Sequence, residues 1–314
     1  MTLQNTRDVL TPDALAMLQV IATQGSFAAA ARQLDVVPSA LTYRVRQIED
    51  ALDVLLFDRS ARQARPTQAG KELLREGARL LEDIDAVAHR VRRVATGWES
   101  QLTIAIDGVV SPHTVFDLVE SFYALAPPTR LKLIDGIMNG TLEALTSGRA
   151  DLAIGVSQAS ATVAGLQQAP LGDITFMYVV APHHPLASEP EPISDAALLK
   201  HRAVAVADSA TRGAATMGLL SGQDVLTVGT MQAKLRAQLR GLGGGFWPEP
   251  MVRPYLASGR LVPRRMARPE YKVNARYVWG GPGFTAPGRA LQWWLNQLQS
   301  PATRRALLEN HHHL

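Results

Sequence analysis

The chain has 314 residues, 46% of them apolar and 19% charged, with a formal net charge of +4. That length leaves room for more than one buried core and the balance excludes wholesale disorder, while a small basic excess permits a nucleic-acid partner without demonstrating one. Cysteine is absent, which excludes disulfides, cysteine nucleophiles, zinc–thiolate sites and thiol redox sensing.

The N-terminal run MTLQNTRDVLTPDALAML has no basic segment leading into an apolar core, so it does not read as a secretory signal. No window reaches the ~18 uninterrupted apolar residues of a membrane span. A cytoplasmic location without a membrane partner is expected.

Residues 1–66 read as a compact helical domain. TPDALAMLQVIATQG carries a Thr11 cap, Pro12 at the first helical position and Gly25 as a stop. SFAAAARQL opens with Ser26, another good cap, and its alanines let helices approach closely. Asp35 and Val36 separate it from VPSALTYRVRQIEDAL. A short helix, a tight turn and a second helix make a helix-turn-helix skeleton.

At about 100° per residue, Leu41, Val45, Ile48 and Leu52 fall on one stripe of that second helix. Ser39, Tyr43, Arg46 and Gln47 fall opposite, with Thr42 at the flank. An arginine, a phenol and small hydroxyls suit phosphate and base-edge contacts in a major groove, although the same face could simply be solvated. Leu55, Leu56 and Phe57 then run into Arg59, Arg62 and Arg65, ending at Pro66. An apolar strand turning through an arginine loop beside a helix-turn-helix describes a wing lying along DNA phosphates.

Residues 67–97 are expected to form a linker helix that starts after a Thr67 cap. Leu73, Gly77, Leu80, Ile84, Val87, Val91 and Val94 alternate spacings of four and three, the a/d seam of a coiled coil in which only Gly77 is a poor seam residue. Self-association along this seam would present two reading heads to two half-sites.

From residue 98 to 305 short apolar strands alternate with helical patterns: LTIAI, LKLI, DLAIGV, FMYVVA, RAVAVA, DVLTV and RYVWG are the expected strands. Such alternation predicts an α/β region built on parallel sheets, with ligands at the carboxyl ends of strands. The first strand ends at Asp107 and the next helix starts at Ser111–Pro112, whose free amides would favour an anion that Asp107 opposes.

At this point the motifs resemble the LysR-type transcriptional regulator family from end to end. GSFAAAARQLDVVPSALTYRVRQIEDALDVLLFDRSARQARPTQAGKELL is similar to its DNA-binding signature, with Gly25–Ser26–Phe27, Ile48–Glu49, Leu56–Phe57, Arg59, Thr67 and Gly70 in order. TLEALTSGRADLAIGV, APHHPLA and GGGFWPE resemble landmarks of its effector domain. The resemblance implies a winged helix-turn-helix, a dimerising linker helix and an effector domain of two α/β subdomains like a periplasmic solute-binding protein. Subdomain I would take residues 98–168 and 278–305, and subdomain II residues 174–271, with crossings near Gln168–Ile174 and Tyr271–Val278. It implies Pro38, Ser39, Thr42, Tyr43, Arg46, Arg59, Arg62 and Arg65 at DNA, and it adds Val109, Met138, Asp208, Ser209, Thr230, Met231 and Trp247 to Asp107 and Ser111 around the effector. The implied partners are double-stranded operator DNA, a small-molecule effector, further copies of the chain as homodimer and homotetramer, and RNA polymerase.

The chain departs from the family where the recognition helix usually starts with a serine cap, glutamine and proline. Here Val37, Pro38 and Ser39 stand instead, so a side-chain cap worth ~1 kcal/mol is missing, although proline suits a first turn. Tyr43 stands where a basic residue is common.

Other signals are weaker. His183–His184 reads as a loop after a strand rather than a metal site, His311–His313 as a tail, and Gly243–Gly245 as a turn rather than a phosphate cradle. No cofactor and no metal is expected. No Ser-His-Asp order, paired catalytic carboxylates or Walker-like loop stands out, so an enzyme is the second reading and a plain cytoplasmic small-molecule-binding protein the third.

Overall fold

The computed structural model describes residues 6–58, 64–157, 165–211, 218–269, 271–281 and 284–311. A short helix α1 (Thr6–Val9) precedes α2 (Pro12–Gln24), α3 (Phe27–Gln33) and α4 (Pro38–Leu52). The caps do as the sequence implies: Thr11 Oγ1 accepts from Ala14 N at 3.2 Å and Ser26 Oγ accepts from Ala29 N at 3.4 Å. Gly25 closes α2 with φ 62°, a left-handed conformation that costs glycine nothing. Leu18, Ile21, Ala30, Leu41, Val45, Ile48, Leu56 and Phe57 share one core, in which fully buried Ala30 and Ala31 keep α3 close to its neighbours.

Strands β1 (Phe57–Asp58) and β2 (Arg65–Pro66) pair antiparallel, Phe57 opposite Pro66, and form the base of the expected wing. Arg59 and Arg62 lie outside the described residues. Helix α5 (Gln68–Thr96) follows, with Thr67 Oγ1 accepting from Gly70 N at 3.0 Å.

The chain falls into two compact units, Met1–Val91 and Arg92–Leu314, so most of α5 belongs to the first. Leu73 packs against the N-terminal core. Gly77 is buried, and a Cβ there would lie 3.0 Å from Leu15 Cδ2. The expectation of Gly77 as a seam residue is therefore corrected: the missing side chain lets α5 settle onto α2. Beyond it the stripe is bare, Leu80, Ile84, Val87, Val91 and Val94 being 52%, 46%, 51%, 64% and 86% exposed.

In the second unit β3 (Gln101–Asp107), α6 (Pro112–Tyr123), β4 (Arg130–Gly136), α7 (Asn139–Thr146) and β5 (Leu152–Val156) lead into the long β6 (Leu166–Val180). Then come α8 (Asp195–Leu198), β7 (Ala203–Val206), β8 (Val225–Val228), α9 (Met231–Leu239), β9 (Gly245–Pro248), α10 (Glu249–Ala257) and β10 (Val262–Arg264). The chain returns through β11 (Tyr271–Gly280) to α11 (Arg289–Gln299) and α12 (Pro301–Glu309). A seven-stranded sheet has the order β10-β6-β11-β5-β3-β4 with β9 also on β6, and β7 and β8 form a separate pair.

Every strand read from the sequence is present, and the parallel pairing expected of them holds for only part of the sheets. β3 runs parallel to β4 and β5, and β7 to β8. The remaining pairs are antiparallel because β6 and β11 carry the chain between two lobes in opposite directions, with Tyr271 opposite Phe176 and Val278 opposite Gln168. β9 and β10, of four and three residues, are too short and too rich in Gly and Pro to show a period. The first lobe buries Leu102, Ile104, Phe122, Trp294 and Leu298 in its core. The second has two clusters, one around Leu235, Trp247 and Val252, the other around Tyr178, Val180 and Leu198.

Candidate DNA-contact face and effector cavity

Helix α4 divides cleanly. Leu41, Val45 and Ile48 are buried, Leu52 is half-buried, and Pro38, Ser39, Tyr43 and Arg46 are exposed. Its N-cap residue Val37 makes no side-chain cap bond; the amide of Ala40 donates to Val37 O at 3.0 Å instead, and Thr42 Oγ1 donates back to Pro38 O at 3.0 Å. Tyr43 is 64% exposed and its hydroxyl accepts from Gln47 Nε2 at 3.2 Å, which holds the phenol along the outer face. Arg65 is exposed on β2. The buried side of α4 holds a residue that periodicity did not mark as functional. Glu49 is 3% exposed and its Oε1 accepts from Leu56 N at 2.8 Å and Phe57 N at 3.4 Å, fixing the start of β1 against the helix. A glutamate one step past the Leu41–Leu52 stripe was the available signal.

In the second unit a cavity of about 80 Å³ lies under β6, β7, β9 and α9, with the ends of β3 and β4 closing one side. Asp107, Val109, Met138 and Met231 line it. Asp107 is buried and its carboxylate accepts from Met138 N at 2.8 Å, Thr141 Oγ1 at 2.9 Å and Val109 N at 3.1 Å. Burial outweighs those bonds and pushes its pKa up to about 6, and the negative charge of Asp208 adds to the rise.

The structure places the other expected residues elsewhere. Ser111 is fully buried as the cap of α6, accepting from Thr114 N at 3.2 Å. It also donates to Asn310 O at 2.8 Å, and its amide donates to Leu307 O at 2.7 Å. The positive end of α6 is thus met by the carbonyl end of α12, which corrects the expectation of free amides for an anion there. Thr230 is exposed and spends its hydroxyl capping α9 through Ala233 N at 3.1 Å. Trp247 has no exposed surface; it is a core residue, its Nε1 donating to Gln238 Oε1.

Asp208 and Ser209 bridge the lobes instead of facing the cavity. Asp208 Oδ1 accepts from Gly140 N at 3.1 Å, and Ser209 Oγ accepts from Ile137 N at 2.9 Å. Nearby, Thr211 N donates to Glu143 Oε2 at 2.7 Å. A Cβ on Gly140 would fall 1.9 Å from Ser209 Oγ, so only glycine admits this approach. The amides at the start of α7 are therefore claimed by Asp107, Asp208 and Ser209.

Sequence reasoning missed Lys234, Tyr178, Phe176, Phe246 and Tyr271, all of which line the cavity. Lys234 Nζ donates to Phe246 O at 2.7 Å and sits 5.2 Å from the centroid of the Trp247 ring. Burial pulls its pKa down to about 8. The signal was there: Lys234 shares a helical face with Met231, Leu235 and Gln238. Gly244, expected in a turn, bonds along β7, donating to Arg202 O at 3.1 Å and accepting from Val204 N at 2.8 Å. Among the described residues no cluster of His, Asp or Glu could hold a metal ion, and no helix is long and apolar enough to cross a membrane.

Two family models match the chain: the bacterial regulatory helix-turn-helix protein, lysR family, over residues 12–71, and the LysR substrate binding domain over residues 95–301. The chain is 38% identical over 292 residues to the probable HTH-type transcriptional regulator YhaJ of Escherichia coli, covering 92% of this chain and 96% of that one. It is 35% identical over 287 residues to the uncharacterized HTH-type transcriptional regulator YeeY of the same organism, covering 91% and 92%. The fold matches that of CbnR solved with its target DNA, at TM-score 0.61 and 18% identity over 92% of this chain and 99% of that one. With both family models in chain order and the helix-turn-helix and two-lobed α/β unit in place, the chain belongs to the LysR family of DNA-binding, effector-modulated transcriptional regulators.

Proposed function

We propose that α4 is the recognition helix, reading an operator through Ser39, Thr42, Tyr43 and Arg46 in the major groove. Pro38 and the uncapped first turn approach a phosphate, and Arg59, Arg62 and Arg65 lie along the backbone as a wing. The observation that carries this reading is the division of α4, with Leu41, Val45 and Ile48 buried while Tyr43 and Arg46 stand exposed. Phosphate contacts position such a helix and base-edge contacts specify its site.

The bare Leu80–Val94 stripe of α5 pairs with that of a second copy, because five large apolar side chains in a row on water are covered at little cost by a like helix. Dimers pair further into tetramers, and the assembly contacts RNA polymerase in the cytoplasm, without catalysis of its own. The cavity lined by Asp107, Met138 and Met231 receives the effector. An effector shifts the regulator only by its difference in affinity between two arrangements of the lobes. The bridge from Asp208 and Ser209 to the start of α7 is where those arrangements would differ.

Selection of bound fragments from random-sequence DNA, followed by gel shift, tests the reading. Arg46→Ala is expected to weaken the selected site; DNA binding that is absent, or unchanged in this variant, would remove α4 from the interface.

A further inference from the structure

The cavity also carries a statement of what it receives, resting on its assignment above as the effector site. Among the described lining residues Asp107 is the one anion and Lys234 the one cation. Asp107 is committed to three protein donors. At the helix starts, the amides of Ser111 and Thr114 are taken by Leu307 O and Ser111 Oγ, those of Ile137, Met138 and Gly140 by Ser209, Asp107 and Asp208, and that of Ala233 by Thr230.

Unspent donors remain. Lys234 is 7% exposed, its ammonium has a single hydrogen-bond acceptor, Phe246 O, and no carboxylate lies within ion-pair reach among the described residues. Tyr178 is 4% exposed and its hydroxyl has no partner among them. A buried ammonium without a counter-ion is strongly disfavoured, and an anion brought to it removes that penalty.

The rest of the wall is apolar and aromatic. The rings of Phe176 and Tyr271 are 5.0 Å apart, Tyr271 and Phe246 6.2 Å, and Phe246 and Tyr178 5.2 Å. Offset and edge-on rings at these distances favour another ring among them.

We propose that this cavity takes a small aromatic carboxylic acid, its ring held by Phe176, Tyr271, Phe246 and Tyr178 and its carboxylate accepting from Lys234 Nζ. An amine would meet the like charge of Lys234, and a sugar would set its hydroxyls against apolar ring surface. An aromatic amide fills the same space but does not neutralise the ammonium.

The test is calorimetric titration of the full-length chain with benzoate, phenylacetate and 3-phenylpropionate, each against its primary amide, with benzylamine as the cationic control. At least one acid is expected to bind, about tenfold or more tighter than its amide, the ratio set by a hydrogen bond to a charged rather than a neutral acceptor. K234M is expected to bring that acid down to the level of the amide, and K234R to keep the preference. Failure of every acid to bind, equal binding of acid and amide, or an undiminished acid preference in K234M would overturn the assignment. Should K234M not fold, the acid-to-amide ratio on the unmodified chain decides alone. Gel shift on random-sequence DNA separates the two readings, since loss of DNA binding would refute the regulator and leave the acid preference standing.

Discussion

Lys234→Met makes the electrostatics of the cavity measurable without any ligand. The side chain is replaced by an apolar one of similar length, and the buried ammonium disappears. Holding Lys234 charged in the folded state, with its pKa pulled from 10.5 to about 8, costs about 3 kcal/mol at pH 7 at 1.36 kcal/mol per unit. Against that gain the variant loses a charge-assisted bond to Phe246 O and the contact with the Trp247 ring, together about 2 kcal/mol. Near pH 7 the variant is expected to be more stable by about 1 kcal/mol. The pH dependence is sharper. A lysine with a depressed folded pKa is charged in both states below pH 8, and between pH 8 and 10.5 the unfolded chain binds more protons, so stability rises with pH. The wild type should therefore gain about 2 kcal/mol on K234M between pH 7 and 9.5. All five tryptophans lie in the second unit, so urea unfolding followed by tryptophan fluorescence reports on it alone. A gap between the two proteins that stays constant from pH 7 to 9.5 would refute the account of a desolvated, uncompensated ammonium.

Arg46→Ala should lower affinity for a selected operator with the melting temperature unchanged, and if it touches phosphate alone the salt slope should shrink by about one unit. Glu49→Ala leaves the buried amides of Leu56 and Phe57 without this acceptor and should destabilise the N-terminal unit by about 2–4 kcal/mol, read as a lower thermal midpoint of its helical circular dichroism; no change would mean another group takes over. Val87→Lys places a charge in the bare stripe of α5 and should shift the chain toward monomer in sedimentation, with a greater loss on a two-half-site operator than on one; an unaltered dimer would exclude the stripe as the interface. Gly140→Ala forces a Cβ against Ser209 and should part the lobes, raising hydrogen exchange at the Ile137 and Gly140 amides, whereas unchanged protection would show that the bridge can relax around it.

Much of the N-terminal unit was legible in the sequence because its determinants are local. Thr11, Ser26 and Gly25 act within a few residues of themselves, and the Leu41–Ile48 stripe needs only the 3.6-residue period to predict which face of α4 is exposed. The strands of the effector unit were equally readable as short apolar runs, and the alternation of strand and helix pointed to α/β lobes. What only the tertiary structure decided depends on segments far apart in the chain. Ser111 looks like the lip of an anion site until the end of α12, some 195 residues later, covers it. Thr230 and Trp247 sit beside cavity residues in sequence, yet one is exposed and spends its hydroxyl capping α9 while the other is buried in the core. Gly77 fits the spacing of a seam, but it is the approach of Leu15 that gives its bare backbone a use. Lys234 becomes a buried cation because Phe246 and Trp247 fold over it from a strand whose brevity hid it. Local propensity fixes helices, caps and faces, while the cost or gain at a polar atom is set by which distant chain removes it from water.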